Sequence, residues 1–162
     1  MKKIFVLFVA IATMFAQDVF AQKAPLTDAE KAARDAKREQ LMQTRLELLK
    51  TELALTDEQM VKFEPVYREY RKEIHKVTAQ NKDARIKKAD ITNENALKVV
   101  AARLANQILT ATVKQRYLFT FAEVIEPLQV EKLYKVDEKV SREAAKIMKY
   151  RQTAAAMDAK AQ

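Results

Sequence analysis

Not one of the 162 residues is glycine, and only three are proline. Glycine is the default residue wherever a backbone must turn left-handed or let a phosphate group approach closely. A chain without it is poorly equipped for tight strand-to-strand turns or phosphate-cradling loops. Alanine, lysine, glutamate, glutamine and leucine dominate instead, all strong helix formers. The composition predicts an all-α fold.

Residues 1–21 have the three-part layout of a secretory signal. Lys2 and Lys3 form a basic start, Ile4 to Phe15 is apolar or small except for Thr13, and Val19-Phe20-Ala21 supplies the small residues before a cut. Cleavage is expected between Ala21 and Gln22, an uncleaved anchor being the alternative. The remaining residues suit one soluble domain. Loss of Lys2, Lys3 and Asp18 takes the formal charge from +8 to +7. A basic exported chain meets anionic lipid, cell-wall polymer or acidic protein segments. Nucleic acid, the usual partner of a basic domain, does not fit an export signal. The chain has no cysteine, so neither a disulfide nor a thiol-linked lipid contributes, and stability must come from packing.

Four helical segments follow. The first opens on Leu26-Thr27-Asp28-Ala29-Glu30, a capping box in which Thr27 caps and Glu30 reaches back. Residues 22–40 are polar with little to bury, so they are expected to fray or stay disordered. Apolar spacing begins at Met42, Leu46, Leu49 and Leu53. The second opens on Leu55-Thr56-Asp57-Glu58-Gln59, another capping box, and carries Met60, Phe63, Tyr67, Tyr70, Ile74 and Val77 on one stripe. Pro65 interrupts that stripe, so a kink or short break is expected near Phe63-Glu64. Helix is expected to about Lys87, then a loop. In the third segment Leu97, Leu104, Ala111, Leu118 and Ile125 recur every seventh residue, with Ala101, Ile108 and Ala122 alongside. That seam predicts a long helix packed lengthwise on its neighbours. The fourth starts at Glu126-Pro127, with proline where its missing N–H costs nothing. Its buried side is marked by Leu133, Val136, Val140, Ala144 and Ile147, and residues 151–162 have no stripe and are expected to fray. A helical domain over 41–150 results: an elongated four-helix hairpin assembly with too little core for its surface. Pairing of two copies is expected, as a curved antiparallel dimer.

No catalytic constellation emerges. His75 is the only histidine and sits in a polar stretch; Ser141 is the only serine. With no thiol and no histidine pair, a structural zinc site lacks ligands. Glu64, Glu69 and Glu73 group only loosely with His75. The expectation is no enzyme, no cofactor and no dedicated metal site. The third segment, however, is apolar on more than one side near its end. At about 100° per residue, Phe119 points roughly 160° away from Phe121. One aromatic ring is therefore off the seam, either sandwiched by another helix or exposed for a partner. Lys114 and Arg116 stand nearby in the chain. An apolar area bordered by positive charge suits loose binding of unfolded chains, and the candidate contacts for such clients are Lys114, Arg116, Phe119 and Phe121.

The chain also resembles the Spy/CpxP group of periplasmic stress proteins, whose hallmark is Leu-Thr-x-x-Gln at the opening of a helix, usually twice. Leu55-Thr56-Asp57-Glu58-Gln59 matches it in full. Ile125-Glu126-Pro127-Leu128-Gln129 stands as the second copy, with isoleucine for leucine, glutamate for threonine and Gln129 kept. Leu26-Thr27-Asp28-Ala29-Glu30 echoes it with glutamate in the last place. The resemblance, over roughly residues 40–150, implies a cradle-shaped homodimer of helical hairpins in the periplasm. A concave basic face with apolar patches would hold unfolded or partly folded proteins without ATP. Leu55, Thr56, Gln59, Ile125 and Gln129 carry over as structural residues of helix entry. An envelope-stress regulator or metal-linked sensor is the alternative within that group, and a lipid-binding helical protein a third reading. Neither nucleic acid nor stable membrane insertion is expected.

Overall fold

The structure, a computed structural model, describes residues 27–161. The expected signal sequence and the expected cut after Ala21 lie outside the described residues. Four α-helices make up the described chain, with no strand among them: α1 (Asp28–Leu53), α2 (Asp57–Gln80), α3 (Ala96–Ala122) and α4 (Pro127–Ala161). None is long and apolar enough to cross a membrane.

The helices form two antiparallel pairs. In the first, α1 runs against α4, with Lys139 Nζ donating to Glu52 at 3.0 Å near one end and Lys37 Nζ to Gln152 at 3.0 Å near the other. In the second, α2 runs against α3, from the Phe63–Phe121 ring contact at 5.7 Å to the Asn81–Asn106 side-chain hydrogen bond at 2.7 Å. The pairs meet where the turn between α1 and α2 lies against the turn between α3 and α4.

That junction is built by the two motif glutamines. Thr56 Oγ1 accepts from the Gln59 backbone N–H, and Gln59 Oε1 accepts from the Thr56 N–H, the reciprocal capping box anticipated from the residues. In the second copy, Glu126 provides no matching cap, but Gln129 Oε1 still accepts from the Glu126 N–H at 2.9 Å. Gln59 Nε2 donates to Gln129 Oε1 at 3.0 Å, and Gln129 Nε2 donates to the Leu53 carbonyl at 3.2 Å. One amide thereby satisfies a carbonyl that the end of α1 would otherwise leave unpaired. Leu55 and Ile125 are both buried beneath it.

Without glycine, the α1–α2 turn pays a steric cost. Ala54 is left-handed at φ 51°, ψ 47°, the sole positive φ among the described residues. Its N–H and that of Leu55 close onto Lys50, a Schellman-type ending with Leu55 as the apolar anchor. A Cβ in this region costs about 1–2 kcal/mol, which the surrounding contacts must offset.

The α2 stripe packs as its spacing predicts. Phe63, Tyr67 and Tyr70 are fully buried and join Tyr117, Phe121 and Tyr134 in one aromatic cluster, with Tyr70 edge-on to Phe121 at 5.5 Å. Such pairs add about 0.5–1.5 kcal/mol each beyond area burial. In α1, Leu46, Leu49 and Leu53 are buried as expected. In α4, Leu133, Val140 and Ala144 are buried as expected, and the stripe departs at two positions. Met148 is buried where Ile147 was expected, and Val136 is only half-buried because Asp137 takes the inward place.

Three other expectations are corrected, and two segments without a buried stripe are helical. The break near Phe63-Glu64 does not occur: α2 is continuous through Pro65, whose exposed position lets water satisfy the carbonyl it frees. The polar segment before residue 41 is helical from Asp28, although every side chain over 28–40 is exposed. The tail also stays helical to Ala161. Helix α2 ends at Gln80, not Lys87, and short 3-10 turns at Lys82–Arg85 and Lys88–Asp90 follow. Arg103 of α3 holds them by donating to the Ala84 and Ile86 carbonyls at 3.5 and 3.0 Å. Finally, the heptad seam of α3 does not pack within the chain. Leu97, Leu104, Ile108 and Leu118 are exposed, while Val99, Val113, Tyr117 and Phe121 face inward. The rings of α2 select the aromatic face of α3, and the aliphatic face is left over.

Candidate functional site

Where α3 meets α4, the turn over 123–126 separates the helix ends and opens a cleft of about 620 Å³. Leu118, Phe119 and Ala122 form one wall; Pro127, Val130 and Tyr134 form the other. Tyr134 is held by its hydroxyl, which donates to the Lys114 carbonyl at 2.8 Å and stitches the helices together. Phe119 is 75% exposed at the rim, and Leu128, in the first turn of α4, is 81% exposed. Lys135, paired with Glu131, lines the same cleft.

The four residues singled out near the end of α3 divide. Phe119 belongs to the cleft. Phe121 does not: it is 0% exposed, locked between Phe63, Tyr70 and Tyr134. Their opposite fates follow from the 160° separation of the two rings around the helix. Arg116 points toward α2, where it lies 3.7 Å from Glu73, and Lys114 is about 140° round the helix from Phe119. Neither lines the cleft; Lys135 does instead. Leu128 and Lys135 escaped the sequence reading, because proximity along a helix says little about which face a side chain shares.

A second exposed apolar surface runs along α3. Leu97, Val100, Leu104 and Ile108 form a row on the face that α2 does not use, and Ile108 is 67% exposed. Large aliphatic side chains arranged this regularly are the pattern of a helix prepared for another helix.

A third feature lies inside the fold. Asp137 of α4 is 2% exposed and accepts from Tyr67 Oη at 2.7 Å, Tyr70 Oη at 3.2 Å and Arg71 at 3.2 Å. Burial, and then the Asp137 charge, push both tyrosine hydroxyls well above the ordinary phenol range. Its place follows from an internal repeat. Counted from the paired glutamines, α2 and α4 keep a constant offset of 70. Phe63 thus corresponds to Leu133, Tyr70 to Val140, and Tyr67 to Asp137. The buried carboxylate occupies a core position of the second copy, and that register is the signal that finds it.

His75 is exposed, and among the described residues no three His, Cys, Asp or Glu side chains gather as metal ligands. Comparison with family models, curated proteins and solved structures returned no match.

Proposed function

We propose that this protein is an ATP-independent chaperone of the cell envelope, exported to the periplasm, that holds unfolded or partly folded proteins and suppresses their aggregation. The observation that carries the reading is the cleft between α3 and α4. It offers Phe119 and Leu118 to solvent with Lys135 at its edge, a combination suited to loose, adaptable capture of apolar segments. The surfaces described act by contact, without turnover and without a cofactor. The row Leu97, Val100, Leu104 and Ile108 has a separate role in this reading. It pairs two copies along α3, giving a homodimer whose clefts remain open.

The test is light scattering from a denatured client in the presence of the purified protein. Suppression is expected at about one dimer per client. Phe119→Ala raises the concentration needed for half-suppression about tenfold, the effect of losing about 1.4 kcal/mol of apolar contact. Absence of suppression by the parent protein removes the proposal.

The pairing has its own readout. Leu104→Glu with Ile108→Glu yields monomers in sedimentation with helicity unchanged, because both positions are exposed in the single chain. A parent protein that already sediments as a monomer sinks the dimer, and leaves the client test standing.

A further inference from the structure

Between α1 and α2 lies a separate groove of about 410 Å³ with a basic lining. Arg38 and Arg45 come from α1, and Arg68, Arg71 and Lys72 from α2; Leu41 and Met42 form an apolar strip alongside. The cations are not equivalent. Arg38 lies 3.3 Å from Asp35, Arg68 is held by Glu39 at 2.7 Å and Glu64 at 2.8 Å, and Arg71 by Asp137 at 3.2 Å. Arg45 and Lys72 have no carboxylate within ion-pair distance among the described residues. Two positive charges of the groove are therefore uncompensated.

Arg45 makes the imbalance costly. It is half-buried, and burial followed by the neighbouring Arg71 charge lowers its pKa. The Nε of Arg45 and the Nε of Arg71 are both buried and donate to no acceptor. Two guanidinium groups thus crowd one carboxylate, with more donors than acceptors on that wall. Buried cations in this position cost stability unless a further anion meets them.

We propose that this groove binds a phosphate monoester, its dianionic head against Arg45, Arg71 and Lys72 and its organic part along Leu41 and Met42. A phosphate group carries about −1.5 to −2 charges near neutral pH and three acceptor oxygens. That matches the two uncompensated cations, Arg45 and Lys72, on the groove lining; a carboxylate supplies half the charge. Guanidinium forks fit such an oxyanion bidentately. The groove is within the usual size of a small-ligand site, about 300–1,000 Å³, so more than an inorganic ion fits. The site is remote in sequence from the α3–α4 cleft and does not depend on client binding.

The experiment is calorimetric titration of the purified protein at fixed ionic strength with phenyl phosphate, inorganic phosphate and phenyl sulfate. Saturable binding is expected, strongest for phenyl phosphate and about tenfold weaker for the singly charged sulfate. Arg45→Met weakens phenyl phosphate about tenfold or more, while its melting temperature stays level or rises, because a crowded cation has gone. Lys146→Gln, on the far part of α4 beside Glu143, leaves the affinity unchanged. A parallel arm with vesicles containing phosphatidic acid separates the sources. Binding of both vesicles and phenyl phosphate assigns the head group to lipid as well as soluble esters. Binding of vesicles alone, no saturation by phenyl phosphate, or equal affinity in Arg45→Met overturns the proposal.

Discussion

Asp137→Ala is expected to lower the free energy of unfolding by about 3–5 kcal/mol, the usual effect of deleting one partner of a buried ion pair. The loss has three sources. Arg71 loses the one carboxylate paired with it among the described residues and is left with the nearby Arg45 charge. The hydroxyls of Tyr67 and Tyr70 lose their acceptor inside a packed core. A small void also opens among rings that have no slack. Asp137→Asn keeps the shape and one acceptor, so it costs less than the alanine variant, yet Arg71 still goes unneutralised. Pairing Asp137→Leu with Arg71→Met removes both charges together, and most of the stability returns. Urea unfolding with an unchanged slope checks all three. An alanine variant within about 1 kcal/mol of the parent would falsify the view that this carboxylate organises the core, since ordinary surface changes stay near about 0.5 kcal/mol.

The internal repeat gives that residue its meaning. Tyr67 and Asp137 occupy equivalent places in the two copies, and their side chains meet across the junction. Two aspartates there would repel, and two tyrosines would bring a pair of large rings into a space that holds one. A pseudo-symmetric contact of this kind is satisfied by dissimilar partners. The loss of the threonine at Glu126 is tolerated for a related reason. Half of the capping box survives through Gln129, and the Gln59–Gln129 pair anchors both turns at once.

Much of the architecture was legible because it is local. The capping boxes at Thr27 and Thr56, the inward rows of α1 and α2, and the start of α4 at Pro127 follow from spacing within one or two turns. The seam of α3 shows where that reasoning stops. Leu97, Leu104 and Leu118 do lie on one face, but periodicity states that a face suits a partner, never which face the rest of the chain has already claimed. Phe121 won the inward place through rings more than fifty residues earlier. Asp137 has no local signature as a core residue, because its partners are 66–70 residues distant. Likewise, the turns that follow α2 are held by Arg103 reaching back to the Ala84 and Ile86 carbonyls, a contact with no local trace. The cleft at Phe119 was half visible: two aromatic rings on opposing sides announced that one was surplus, without deciding which.

The same buried cluster predicts a steep alkaline instability. Tyr67, Tyr70 and Tyr134 all have folded pKa values raised above the ordinary 10.0, chiefly by burial and then by the Asp137 charge, with Tyr134 pushed up to about 12. Above pH 10 the unfolded chain releases these protons while the folded chain keeps them. The folded state then binds more protons, so stability present in full below pH 10 is lost as pH rises. For Tyr134 the loss runs from 10 to about 12; for Tyr67 and Tyr70 it continues beyond that point. Each fully buried tyrosine contributes a slope of about 1.4 kcal/mol per pH unit. Two such groups remove about 5 kcal/mol by pH 12, comparable with the whole stability of a marginal domain. Phenolate absorbance and helical circular dichroism should therefore change together in one cooperative step, and Tyr67→Phe with Tyr70→Phe should flatten the slope. Phenolates that form progressively while the helices persist would mean that these hydroxyls reach water in the folded state, which the packing around Asp137 forbids.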